Sequence, residues 1–155
     1  MKWYLVVGLT VLVMVVTLLV RIPVPGGGYF NMGDVLIFFS GLFAGWKTGL
    51  IAGGVGSALA DLIGFPVFAP LTLVIKGLEG LICGLAKPGN RLQSFIFPAI
   101  AVLLMVAGYF TGTWFFPNLG KAVALADLPV NLIQASVGYI GGRTLYGAYL
   151  RITSN

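Results

Sequence analysis

Two ionisable residues, Lys76 and Glu79, interrupt an otherwise apolar run. They lie in the stretch ALADLIGFPVFAPLTLVIKGLEGLICGL, Ala58 to Leu85, which reads as the end of one membrane helix, a short non-cytoplasmic loop and a second helix running back. Pro70 suits the first turn of that second helix, where an N–H would go unpaired in any case. At about 1.5 Å per residue, Lys76 lies ~9 Å and Glu79 ~13 Å below the surface, near the middle of a hydrocarbon core about 30 Å thick. An ionised side chain there costs on the order of 3 kcal/mol, so something must compensate it. The i, i+3 spacing puts both groups on one helix face. They form either a structural salt bridge that tethers helices or the charged floor of a ligand pocket. Lys before Glu is the weaker order for an intrahelical pair, and intramembrane ionisable residues mark functional sites by default, so the pocket is favoured.

Further polar residues fall near the same depth. Asp61 sits at the outer end of the preceding helix, as a solvated acid, a turn cap or, preferentially, a pocket rim. Asn131 and Gln134 share one face of the last helix at i, i+3. Uncharged amides in a membrane either glue helices together or read a ligand's donors and acceptors. Tyr109 begins an aromatic group with Trp114, Phe115 and Phe116, placed for an interfacial belt or for stacking on a flat ring.

The elements that hold these residues follow from composition. The chain has 155 residues, 59% hydrophobic and 8% charged, with mean hydropathy +1.03. Soluble domains average about 25% charged residues, so the sequence predicts a single all-α membrane domain over 1–155 with no room for a soluble catalytic domain. There is no His and one Cys, Cys83. That excludes an intrachain disulfide, argues against a Cys/His metal site and removes His-based nucleophilic catalysis. No cofactor is expected. The net charge of +5 is spread over helix ends and reads as topology, not as a nucleic-acid surface.

Six spans are predicted: Trp3–Ile22, Met32–Trp46, Thr48–Ile63, Leu71–Ala86, Leu92–Phe115 and Leu128–Leu150. The run from Trp3 to Val20 is too long for a signal-peptide core, and Arg21 and Pro23 follow it where a cleavage site would stand; Arg21 can snorkel to the interface. Pro23 to Asn31, PVPGGGYFN, is a break in helix, either a wet loop or a lid whose aromatics fold over a pocket mouth. Asn31 or Asp34 caps the second helix. The third carries two rows of small residues, Ala52/Gly56/Ala60 and Gly49/Gly53/Ser57, so it is central or docks another protein. Pro117 to Asp127, with Asn118 and Lys121, is an amphipathic outer segment, and Asp127 caps the sixth helix with Pro129 in its first turn. With both termini cytoplasmic, Lys2, Lys47, Lys87, Arg91, Arg143 and Arg151 all lie inside, as the positive-inside rule requires. Asp61, Lys76, Asn131 and Gln134 then form one constellation open to the outside.

Three segments in this order, IPVPGGGYFNMGD, GSALADLIGFPVFAPLTLVIKGLEGLICGL and LPVNLIQASVGYIGGRTL, resemble the substrate-binding S component of an energy-coupling factor vitamin transporter, in the branch that includes riboflavin, pyridoxine and hydroxymethylpyrimidine carriers. The resemblance covers nearly the whole chain. It implies a six-helix, N-in/C-in bundle at the cell membrane and no catalysis. It implies capture of a vitamin, with the loop after helix 1 closing the pocket. It further implies docking through helices 1 to 3 to a transmembrane coupling subunit with two cytoplasmic ATPases, and toppling to release cargo. By the same resemblance Tyr29, Glu79 and Asn131 fall in substrate-contacting segments, with Lys76 and Gln134 beside them. Helix 1 departs from the family pattern: VVGLTVLVMVV lacks the alanine-xxx-alanine pair used for docking, leaving Gly8 and the small rows of helices 2 and 3. The chain contains no G-x-x-x-x-G-K-[ST] phosphate loop. Pyridoxine or hydroxymethylpyrimidine fits the polar set best, riboflavin next. A stand-alone carrier using Lys76 and Glu79 as a relay is the alternative.

Overall fold

A computed structural model describes residues 2–24, 27–116 and 119–153. Pro25 and Gly26 of the glycine loop, and Pro117 and Asn118 of the outer segment, lie outside the described residues. Six helices form the molecule: α1 (Trp3–Leu19), α2 (Gly33–Ala44), α3 (Trp46–Gly64), α4 (Ala69–Cys83), α5 (Gln93–Phe115) and α6 (Lys121–Thr153). Two short antiparallel strands, β1 (Arg21–Pro23) and β2 (Tyr29–Asn31), lie between α1 and α2. The helices close a ring α3–α4–α5–α6–α2, with α1 packed on the outside of α2 and α3. The hairpin rests on α6 and on the end of α1.

α5 and α6 are long and apolar enough to cross a membrane. α1 and α2 are apolar but shorter, 17 and 12 residues. At about 1.5 Å per residue α2 reaches only ~18 Å, less than a hydrocarbon core. Its ends are taken over by the hairpin before it and by an immediate turn at Gly45 (φ 82°) after it.

The small residues of α3 explain the tightest helix contact. A Cβ at Gly49 would run into the Gly80 carbonyl, and one at Gly80 into the Gly49 carbonyl. Gly53 lies against the Lys76 carbonyl and Gly56 against the backbone of α1 at Thr10. The two small rows are thus consumed inside the bundle, and α3 is central. Gly41 of α2 is likewise spent, facing Gly80 and Cys83. Gly8 of α1 has nothing within 4 Å and is left on an outer face.

Several boundaries differ from the sequence reading. α1 stops at Leu19, because Arg21 to Pro23 pair with Tyr29 to Asn31, Ile22 opposite Phe30. The Arg21 guanidinium lies over the Tyr29 ring (4.9 Å) and the Phe65 ring (5.4 Å) and donates to the Ala60 carbonyl at 3.0 Å. α6 starts at Lys121, after Gly120 (φ 93°), so residues 121–127 are its first turns and Asp127 and Pro129 lie inside the helix instead of capping it. In α5, Pro98 cannot donate to the Ser94 carbonyl four residues back. Arg143 Nε of α6 fills that vacancy at 2.7 Å, tying the two helices together.

The Gly49–Gly80 contact predicts that Gly80→Val lowers the thermal midpoint in detergent. The cost should be about 1–3 kcal/mol or more, the range for overpacking. Gly8→Ala, which meets open space, leaves the midpoint within error.

Candidate functional site

Every acidic residue of the chain, Asp34, Asp61, Glu79 and Asp127, is buried in the helical bundle, although the chain carries nine Lys and Arg. The centre of this arrangement is Lys76, 2% exposed. Its ammonium contacts Asp34 Oδ1 of α2 at 2.6 Å and Glu79 Oε2 of its own helix at 3.0 Å. The intrahelical pair therefore forms despite its unfavourable order, and a second acid reinforces it. The Tyr109 ring also lies 5.5 Å from the ammonium. Packing positions the pair: Gly53 and Gly77 let α3 and α4 approach, while Gly138 of α6 lies against the Asp34 side chain.

A polar chain continues from this centre. Gln134 Nε2 of α6 donates to Asp34 Oδ2 at 3.1 Å. Gln134 Oε1 accepts from the Asn31 backbone N–H at 2.8 Å and from Asn31 Nδ2 at 3.1 Å. Asn31 Oδ1 in turn accepts from the Gly33 N–H at 2.8 Å, supplying the cap of α2. One network thus joins α4, α2, α6 and the hairpin. A second contact closes the opposite side, where the Tyr29 hydroxyl donates to Asp61 of α3 and the Tyr29 ring stacks on Phe65 at 4.7 Å. Burial, and then the Asp61 carboxylate, hold the Tyr29 phenol well above its ordinary range, so it remains a donor.

These groups surround a cavity under the hairpin. Of the residues singled out from sequence, Tyr29, Asp61, Lys76, Tyr109, Asn131 and Gln134 line it. Glu79, fully buried, does not line it and stands behind Lys76, paired with the ammonium. Trp114 packs instead with Phe110, Phe115 and Lys121. The space open to water centres is about 40 Å³. Since one water needs roughly 10–15 Å³ by that measure, the cavity admits a few waters, and a heterocycle enters only if the hairpin or a neighbouring side chain moves.

Sequence reasoning missed Asp34, because the start of a helix offered a capping role, and missed Asp127 for the same reason. A buried lysine needs an acid on a neighbouring helix, and four acids in so apolar a chain could have flagged both. Thr17 of α1, with a buried hydroxyl lacking a hydrogen-bond partner among the described residues, and Thr72, bonded to the Tyr109 hydroxyl at 2.8 Å, also line the cavity. No cluster of three or more His, Cys, Asp or Glu suited to a metal ion occurs among the described residues. The lining is rich in hydroxyl, amide and carboxylate groups, with one ammonium.

Comparison with known proteins gives three findings. Residues 4–151 match the family described as "ECF-type riboflavin transporter, S component". An uncharacterised protein of Pyrococcus woesei is 42% identical over 133 residues, covering 84% of this chain and 88% of its own. The thiamine precursor transporter HmpT of Lactococcus lactis subsp. cremoris is 31% identical over 139 residues, covering 88% of this chain and 80% of its own.

The ion-pair geometry makes a direct prediction. Lys76→Ala leaves Asp34 and Glu79 facing each other without a cation, a change that costs about 3–5 kcal/mol for a buried pair. Removing Asp34 as well should return a large part of that loss. A double-mutant cycle read by thermal unfolding checks this, with a coupling of roughly 0.5–3 kcal/mol expected.

Proposed function

The chain belongs to the ECF-type riboflavin transporter S-component family, and from that premise we propose that it captures hydroxymethylpyrimidine, or a close relative of it, in the cavity beneath the hairpin. The family is one of transport subunits, not enzymes, and the chain is a membrane-embedded component for uptake of a vitamin or vitamin precursor. In this reading all six helices embed, both termini lie in the cytoplasm, and the hairpin side faces out. The ligand is delivered inward by toppling of the whole subunit when it docks to a transmembrane coupling subunit driven by two ATPases. α1, with Gly8 on its outer face, is the docking face, because the small residues of α2 and α3 are spent inside the bundle.

The observation that carries the choice of site is the division of polar groups around the cavity. Lys76, Asp34, Gln134 and Asn31 are committed to one another. Asn131 lines the same cavity, and its side-chain amide makes no hydrogen bond to another described residue, which leaves it for a ligand. Tyr109 and Tyr29 supply faces for a flat ring, a contact of about 0.5–1.5 kcal/mol each beyond burial. A small aminopyrimidine suits so confined a space better than a three-ring flavin. The thiamine precursor named for the Lactococcus relative favours the same choice. Glu79 acts in this reading through Lys76, and Asp61 through Tyr29, each holding a lining group in place.

Native mass spectrometry of the gently purified protein against hydroxymethylpyrimidine, pyridoxine, riboflavin, thiamine and pantothenate tests the reading. One saturable adduct per chain, strongest with hydroxymethylpyrimidine, is expected; binding of riboflavin alone would refute the choice of cargo, and binding of none would refute the function. Asn131→Ala should weaken the preferred ligand at least about tenfold, or 1.4 kcal/mol, with an unchanged thermal midpoint. Cellular uptake should require the ATPase subunits.

A further inference from the structure

Asp127 is the acid that the charge network leaves out. Lys76 is shared by Asp34 and Glu79, and Asp61 has Tyr29. Asp127, 7% exposed, lines the cavity, and its Oδ1 is buried with no hydrogen-bond partner among the described residues. No Lys or Arg lies within salt-bridge distance of it among them. A buried carboxylate oxygen without a donor carries its full desolvation cost. Its position is not accidental packing from a surface helix turn. Asp127 and Asn131 stand at i, i+4 on α6, which places them on one face, and both line the cavity. Gly28 of the hairpin lies directly opposite, where a Cβ would come within 2.9 Å of Asp127 Oδ2. A side chain at Gly28 would press on the carboxylate.

We propose that Asp127 is a specificity-determining residue that accepts a hydrogen bond from an amino group on the ligand ring, while the Asn131 amide donates to the adjacent ring nitrogen. The pair presents an acceptor beside a donor, the complement of an amino group next to a ring nitrogen. A ring with an oxo group in place of the amine would leave the carboxylate unmatched. This deepens the reading above and rests on it for the location of the ligand, but it names the feature of the ligand that is recognised.

The test is equilibrium binding to the full-length purified protein of 4-amino-5-hydroxymethyl-2-methylpyrimidine and its 4-oxo counterpart, with pyridoxine as an amine-free ring. The wild-type protein should prefer the amino form by at least roughly tenfold, the discrimination expected of one hydrogen bond to a charged group. Asp127→Asn should lose that preference, weakening the amino form but not the oxo form, to which the introduced amide can donate. Gly28→Ala, which pushes on the carboxylate from the hairpin without altering α6, should shift selectivity in the same direction and covers the case in which Asp127→Asn fails to fold. Equal weakening of both forms would show a merely structural role and overturn the proposal, as would an unchanged preference in either folded variant. Wild-type preference for pyridoxine or the oxo form would overturn it while leaving vitamin capture intact. Binding of no ring would remove both.

Discussion

A lysine ammonium buried in an apolar helical bundle is the constraint from which the rest follows. Lys76 cannot keep its charge there without acids in contact, and it has two, at 2.6 and 3.0 Å. Neither acid is free to sit elsewhere. Asp34 must come from α2, so α2 and α4 must approach; Glu79 must come from the next turn of α4 itself. Because Asp34 then has a second oxygen to satisfy, Gln134 of α6 is drawn in, and through it Asn31 of the hairpin. Desolvation penalties of several kcal/mol per ion stand behind the contacts among Lys76, Asp34 and Glu79. The polar network therefore fixes the relation of four elements that apolar packing alone would leave free to slide.

The glycines make that approach possible. Apolar side chains in lipid gain little by facing each other, so helices associate through close backbone packing. The mutual Gly49–Gly80 contact brings α3 and α4 together one turn from Lys76, and Gly138 and Gly142 let α6 close on α2 beside Asp34 and Phe38. The result is a closely packed centre and, at one end of the bundle, a narrow cavity covered by the hairpin, which the Tyr29–Asp61 and Asn31–Gln134 contacts hold.

Much of this was legible in the sequence. Six apolar runs separated by basic or glycine-rich breaks gave six helices, and Pro70 falls in the first turn of α4 as expected. The charged residues within the runs and the two amides of α6 pointed to the cavity, and six of the seven singled-out residues line it. The remainder was hidden for definite reasons. Asp34 and Asp127 both stand near expected helix starts, and a local capping role is indistinguishable from a tertiary one without knowing what faces them. Lys121 to Asp127 read as a surface segment because Pro129 looked like a first-turn proline; yet α6 passes through it, since a proline inside a helix forfeits only one hydrogen bond and its clash can be absorbed. The β1–β2 hairpin was invisible because three-residue strands leave no periodicity to read.

The central claim is that a ligand enters the cavity between the hairpin and the Lys76 centre. Hydrogen–deuterium exchange of the purified protein, with and without saturating hydroxymethylpyrimidine, tests it most directly. The account predicts slowed exchange in residues 27–33, around Asp61 and in the first turns of α6 from Asp127 to Gln134. Protection confined to the other end of the bundle, around Arg91 and Arg143, with the hairpin unchanged, would contradict it.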